Sequence, residues 1–532
     1  MQPILIIIVL CSVVYYLYWK LKENNTYWSK KNVGQYKPQL FLGNSAPILF
    51  QKMSMCDLMN MLYEQFPNKR YFGMYQFLSP RLVLKDLDLI KRIAVKDFDI
   101  FPEHRTIVSE EADPLFARNI LFMKGGEKWQ RLRSLLSPVF TSSKLKSMYP
   151  LMIRCAQQFV DHYEQNDNTT EVEIKETISR YTNDVIASIA FGVECNSFAN
   201  PNDTFYLMGK KAMSMSFLKI ITLLMYSISP FLIKLVKLKI VPQDVSNFFR
   251  SIVIDTIKFR EENGVVRPDM LHLLNEARKG RIKYDEQENH SDSSFAIVEE
   301  SEIGKKQKFK YSDISDDDLI AQAFVFFLAG FDTSSTGLSF CIYELALNPD
   351  IQEKLRNEID QVLSSNTNDF VSYDDLLGMK YLDMVVTESL RKWPPLVFVD
   401  RRAVKPFVIE SELSGEETIH FPKGTTCIIP TYSIHRDPKY YPNPEKFDPE
   451  RFSEENKHSL TPSSFLTFGM GPKNCVGSRF ALLEIKLLLF ALLSKLEVVP
   501  VSKTLIPMVT SKKGIFLGAE GGLWLGLKKR NT

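Results

Sequence analysis

One cysteine of the seven in this 532-residue chain sits where its chemistry would be altered. In the stretch FLTFGMGPKNCVGSRFALLEIKLLLFALL, Phe465 to Leu493, Cys475 lies among glycines and a proline just ahead of a long apolar run. Gly469 and Gly471 tolerate backbone angles closed to other residues, and Pro472 stiffens the turn. The pattern predicts a helix opening after Gly477, whose first amides and dipole would favour a thiolate at Cys475. Such a thiolate is a nucleophile or a metal ligand. The nearest histidines, His435 and His458, fall in a loop with no evident relation to it. GMGPKN is half of a GxGxxG, but Asn474 replaces the third glycine and a helix-rich context precedes it, which excludes a dinucleotide site.

A second interruption of apolar sequence is FFLAGFDTSST, where Gly330, Asp332, Thr333, Ser334 and Ser335 break a run from Asp316 to Asn348 that has no internal proline. Glycine costs a helix interior about 1 kcal/mol relative to alanine, and a buried carboxylate costs more unless paired. Two readings stand side by side. One is a helix crossing at Gly330 with Asp332 bonded to a neighbour. The other is a groove at Ala329-Gly330 that admits a small ligand, with Asp332 and Thr333 handing protons inward. In TESLRKWPP, Glu388 and Arg391 share a helix face, and a guanidinium from Arg451 in the proline-punctuated loop RDPKYYPNPEKFDPERF could join them as a structural clamp. Trp129 and Arg133, four apart in GEKWQRLRSLL, are a surface pair or a donor and a cation aimed at a ligand carboxylate.

The elements that must position these residues read as mainly helical with a smaller β portion. Hydrophobic residues are 45% and charged residues 24% of the chain, enough for a full core. A net charge of only +3 gives no electrostatic case for nucleic acid, and no HExxH or paired CxxC spacing supports zinc. Scattered cysteines, odd in number, fit reduced thiols rather than a disulfide framework. Residues 1–22 are expected to be a membrane anchor, uncharged from Pro3 to Trp19 with Tyr15, Tyr16, Tyr18 and Trp19 as an interfacial belt. Lys20, Lys22, Lys30 and Lys31 then keep the bulk of the chain cytoplasmic, which would leave the sequons at Asn24, Asn168, Asn202 and Asn289 bare. Residues 23–45 read as a polar linker and 46–532 as one domain, with 280–315 as a long mobile surface loop. RYFGMYQFLSPRLVLKD, broken at Ser79-Pro80, and the segment from Ala403 to His435 read as β patches. FLIKLVKLKIVP, Phe231 to Pro242, alternates apolar and basic residues and suits either a membrane-resting or an ordinary surface helix.

Taken in order, Trp129-x-x-x-Arg133, Ala329-Gly330-x-Asp332-Thr333, Glu388-x-x-Arg391, Pro449-Glu450-Arg451-Phe452 and Phe468-x-x-Gly471-x-x-x-Cys475-x-Gly477 resemble the landmarks of the cytochrome P450 monooxygenases. The anchor, the long loop and EEADPLFARNILFMKGGEKW further resemble insect microsomal members of the xenobiotic-metabolising clan, near its ninth family. The resemblance implies a P450 fold behind one transmembrane helix, and haem b with Cys475 as thiolate ligand. Gly477 would let the next helix pass close to the porphyrin, and Phe468 would shield the sulfur, with Gly471 shaping the turn. It implies haem propionates held by Trp129, Arg133 and Arg401. Lys473 stands where the family has arginine or histidine, keeping the charge but losing the fork. Asp332 and Thr333 would supply the protons for dioxygen cleavage. Electrons would come from NADPH through NADPH-cytochrome P450 reductase, with cytochrome b5 as a further donor, docking near Lys128, Arg131 and Lys473 at the endoplasmic reticulum membrane. An apolar substrate would meet Phe101, Phe116, Phe324, Phe327, Phe398 or Phe516. A detoxifying monooxygenase, a biosynthetic hydroxylase or epoxidase of an endogenous lipid or hormone, and a haem protein that only binds ligands are the three functions left to separate.

Overall fold

The computed structural model describes residues 15, 18–19, 21–105, 108, 110, 113–214, 239–280, 294–297, 314–365, 370–514 and 516–530. Most of the expected anchor and of the 280–315 loop, residues 231–238 and the Asn289 sequon lie outside them. Long helices dominate, at Ser142–Glu164, Ile174–Ile186, Gln243–Asn263, Lys380–Lys392 and Ser478–Lys495. Among the described residues, nine short strands accompany them: β1 (Tyr71–Gln76), β2 (Ser79–Leu84), β3 (Thr170–Glu173), β4 (Val399–Arg402), β5 (Phe407–Ile409), β6 (Ile419–Phe421), β7 (Thr426–Ile429), β8 (Leu496–Val499) and β9 (Trp524–Lys529). They form sheets ordered β1-β2-β7-β4, β3-β9-β8 and β5-β6. Of these pairs, β2 and β7 run parallel and the others are antiparallel. Ser79-Pro80 does not break the first patch as expected. The hairpin turns at Phe77-Leu78, with Phe77 at φ 54, and Ser79 already pairs with Gln76.

A central helix, Asp316–Leu347, organises the body. Ser315 caps it, accepting from the Asp318 amide while the Asp318 carboxylate accepts from the Ser315 amide, and Asp316, Asp317 and Asp318 lie against the positive end of the dipole. Among the described residues it is the one helix long and apolar enough to cross a membrane, but 72% of its apolar window is buried in the protein, so it is a core helix. At Gly330–Ser334 it loosens into a π-helical turn, a local widening found often at functional sites.

Two segments depart from the expected boundaries. The described part of the linker is docked rather than loose. Trp28 is fully buried, its indole N–H donates to the Met74 carbonyl at 3.1 Å, and its ring fills the space left by the absent side chain of Gly73. Within the 280–315 loop, the described residues 294–297 return to the core. Ala296 is buried, and Phe295 packs on Phe452 and Phe465 with ring centroids 4.9 and 5.9 Å apart.

Candidate functional site

The loop that carries Cys475 is seated by distant segments. Its own turn is closed by the Cys475 amide donating to the Phe468 carbonyl at 2.8 Å. Gly471 has φ +73, and a Cβ there would meet the Ala94 carbonyl oxygen at 2.1 Å, so only glycine fits against that neighbour. Arg133 grips Asn474 through its carbonyl, at 3.0 Å, and its side-chain oxygen. Thr467 donates to the Leu390 carbonyl at 2.9 Å. The Leu466 amide donates to His435 Nε2 at 2.8 Å, while His435 Nδ1 donates to the Arg391 carbonyl at 2.9 Å. That pattern requires the neutral ring.

Behind His435 lies the expected clamp. Glu388 and Arg391 are both fully buried and joined by two bonds of 2.8 Å, and Arg391 also donates to the His435 carbonyl at 2.9 Å. Arg451 reaches Glu388 at 3.4 Å and tethers Asn443 at 2.7 Å. Burial and the Arg391 charge push His435 down to about 3. Because the folded-state value is depressed from an ordinary 6.5, the unfolded chain binds the extra proton between those values. Stability from this group is present above pH 6.5 and is lost as pH falls towards 3. The urea midpoint should therefore fall more steeply below pH 6.5 in wild type than in His435→Gln, and parallel slopes would refute it.

The Cys475 side chain is exposed, and every other described cysteine is buried. Protein nevertheless encloses Cys475 closely enough that burial pushes its thiol up, against the Gly477 amide and Arg133, which pull it down. The two facts together place the sulfur on an internal space. The Gly477 amide lowers the thiol, as expected at a helix N-terminus, and desolvation by the surrounding protein opposes it. Gly477 is not demanded by protein contact, since a Cβ there would come only within 3.6 Å of the Phe140 ring. Phe468 packs half-buried against the core. In the central helix, Ala329 is exposed although the residues from Leu319 to Phe327 are buried. The crossing and an opening are both present in this stretch. The helix does cross a neighbour at Gly330, where a Cβ would meet Ile186 at 2.5 Å, and an accessible notch remains at Ala329.

Thr333 Oγ1 donates to the Ala329 carbonyl at 2.5 Å. Asp332 is tied to a residue that sequence reasoning missed. Lys175, at the start of the Ile174–Ile186 helix, bonds Asp332 Oδ1 at 3.1 Å, the Asp332 carbonyl at 2.9 Å, Ser335 Oγ at 2.6 Å and Thr336 Oγ1 at 2.7 Å. Burial lowers Lys175, opposed by the Asp332 charge. Behind the same π turn, fully buried Glu484 lies beside Ser334, and burial pushes its carboxyl up to about 8.

The cations predicted for a ligand carboxylate divide. Lys473 is buried with no hydrogen-bond partner for Nζ among the described residues, and Nζ lies 4.3 Å from the Trp129 ring centroid. Burial, then Arg401 and Arg133, push it down to about 7. Arg401 donates to the Met470 carbonyl at 3.0 Å and keeps a buried, unpartnered Nε. His104, also missed, joins this group through Nδ1 at 3.1 Å from Asp400. A buried surplus of positive charge fits an anionic group such as the propionates of haem. Trp129 does not present its indole N–H to such a group, because that donor is bonded to the Ile120 carbonyl at 3.1 Å.

Two further expectations change. Lys473 is too buried to be a docking contact for a redox partner, whereas Lys128 and Arg131 keep exposed surface while pairing with Asp318, at 2.9 Å, and with Glu127. Of the six phenylalanines, Phe101 packs on Phe407 and is core, as are Phe324 and Phe327 in the Phe191–Phe205–Phe249 cluster. Phe116 stacks on Phe122, Phe398 is half-buried and Phe516 is 40% exposed.

A family model described as cytochrome P450 matches residues 34–525. Among curated relatives, the chain is 43% identical to cytochrome P450 9e2 of Blattella germanica, over 96% of this chain and 95% of that protein. It is 38% identical to the probable cytochrome P450 9f2 of Drosophila melanogaster, over 96% of both, and 37% identical to cytochrome P450 6k1 of Blattella germanica, over 99% of this chain and 97% of the relative. The matches span the segments that seat Cys475 and those that carry Asp332, and the chain belongs to the cytochrome P450 family of haem-thiolate monooxygenases.

Proposed function

We propose that this protein is a membrane-anchored monooxygenase of small apolar substrates, of the kind found among plant toxins and insecticides, with Cys475 as the axial ligand of its haem. The observation that carries the assignment is the pairing of one accessible, enclosed thiol with a buried cation, Lys473 Nζ, that has no partner two residues before it. Lys473 and Arg401 would hold the propionates, and Arg133 holds the cysteine loop. Haem, when bound, supplies dioxygen reduction and substrate oxidation, with electrons from NADPH through a separate reductase or cytochrome b5.

The chain supplies position and proton control. The Thr333 proton is engaged by the Ala329 carbonyl, which leaves the hydroxyl oxygen to accept from a water at the exposed Ala329 notch. The adjoining Asp332 carboxylate, held by Lys175, would take up a proton from bulk water and release it to that water. The anchor keeps the catalytic body on the cytoplasmic face of the endoplasmic reticulum. Incubation with reductase, NADPH and ¹⁸O₂ across a panel of apolar compounds should give products carrying one ¹⁸O, and none without reductase. Haem-replete protein that gives no labelled product, and oxidises no NADPH beyond reductase alone, would exclude the assignment and leave a ligand-binding haem protein. A single turned-over endogenous lipid in place of a broad panel would make the enzyme biosynthetic.

A further inference from the structure

The outer part of the four-stranded sheet carries cations that the proposed haem chemistry does not use. Arg81 of β2 pairs with Thr426 of β7, and Thr426 pairs with Arg402 of β4, so the two arginines share one row and one face of the sheet. Asp400, two residues before Arg402, shares that face, and the loop residue Arg105 is fixed to it. Arg105 donates its backbone amide to Asp400 Oδ2 at 2.8 Å and its guanidinium to Gln76.

The charges on this face do not balance. Asp400 already accepts from Arg105 N and from His104 at 3.1 Å. Glu103 is 3.4 Å from Arg402. Among the described residues, Arg105 has only a neutral partner for its guanidinium. Arg81 is 8% exposed, its Nε is buried without a partner, and no carboxylate lies within ion-pair distance of it among the described residues. Burial and the like charge of Arg105, with a smaller contribution from Arg402, lower it to about 10, and Asp400 only partly opposes this. A buried, unpaired guanidinium is costly and gains nothing from packing that an aliphatic residue would not supply. Its planar fork matches a carboxylate in two-point contact. Just before β4, half-buried Phe398, in step with Asp400 and Arg402, offers apolar surface beside the charges.

We propose that Arg81, Arg105 and Arg402 form a carboxylate-binding site that anchors the head of an amphipathic acid, so that the enzyme accepts long-chain carboxylates as well as neutral apolar molecules. The inference rests on the monooxygenase reading for where the tail lies, not for the existence of the site.

The holoprotein would be titrated with dodecanoate and with methyl dodecanoate, reading both the Soret spin-state shift and tryptophan fluorescence. Dodecanoate should bind at least about tenfold more tightly than its ester, with a preference that shrinks as salt rises. Arg81→Met should erase the preference while leaving ester affinity and the reduced carbon monoxide spectrum unchanged. Arg105→Met should weaken it in the same sense if Arg81→Met fails to fold. Equal affinities in wild type, or a preference that survives both substitutions, would overturn the proposal. So would faster haem transfer to apomyoglobin from Arg81→Met, which would assign the arginines to a propionate. Competition by inorganic phosphate as effective as dodecanoate would also overturn it, by showing a free-ion site. A missing carbon monoxide band in wild type would defeat the monooxygenase reading alone, because fluorescence still reads the acid preference.

Discussion

Cys475→Ser is expected to abolish the red-shifted Soret band of the reduced carbon monoxide complex and to bring oxygenase turnover to background. A serine oxygen at the same place is a far weaker donor to iron than a thiolate, and thiolate donation is what favours O–O cleavage in this family. The loop itself should survive. Its fixtures are the Asn474–Arg133, Thr467–Leu390 and Leu466–His435 bonds and the Gly471 turn, none of which uses the sulfur. The variant should therefore stay folded and keep part of its haem through Lys473 and Arg401. A red-shifted band that persists in Cys475→Ser would show that the sulfur is not the ligand.

Glu388→Gln is expected to be nearly as damaging, by a different route. Arg391 is fully buried, and among the described residues its charge is balanced within bonding distance by Glu388 alone. Glutamine keeps the shape but removes the charge, leaving a desolvated guanidinium. Breaking a buried pair in this way costs about 3–5 kcal/mol, against a total stability of roughly 5–15 kcal/mol for a folded protein. Because Arg391 also holds His435, and His435 holds Leu466, the loss should reach the cysteine loop and appear as poor haem incorporation. Replacing both partners by leucine should recover part of the loss, since no charge is then stranded. An unfolding free energy from urea titration for Glu388→Gln within about 0.5 kcal/mol of wild type would contradict this account.

What the sequence disclosed, and what it concealed, follows the range of the interactions. Gly471, Cys475 and the helix after them are encoded by neighbours in the chain, and so is the Glu388–Arg391 pair at helical spacing. Lys175 could not be found this way. It lies far from Asp332 in sequence, and nothing local distinguishes a lysine that will be buried against a π turn from one that will be solvated. His435 reads in sequence as part of an unrelated loop, yet its two ring nitrogens join that loop to the cysteine segment. The pull of the Gly477 amide on Cys475 is legible in sequence, whereas the low-dielectric protein that opposes it is not. Lys473 and Trp129 each matched a motif, but burial removed one from the surface and a backbone carbonyl took the other's donor.

The multiple fixtures of the cysteine loop bear on how cofactor and polypeptide come together. Where a metal organises its own ligands, the conformational entropy of ordering them is lost at binding and weakens affinity. Here the bonds that tie the loop to Arg133, Leu390 and His435 run between protein groups, and none uses the Cys475 sulfur. That entropy therefore falls on the folding of the chain, and haem meets a preorganised ligand.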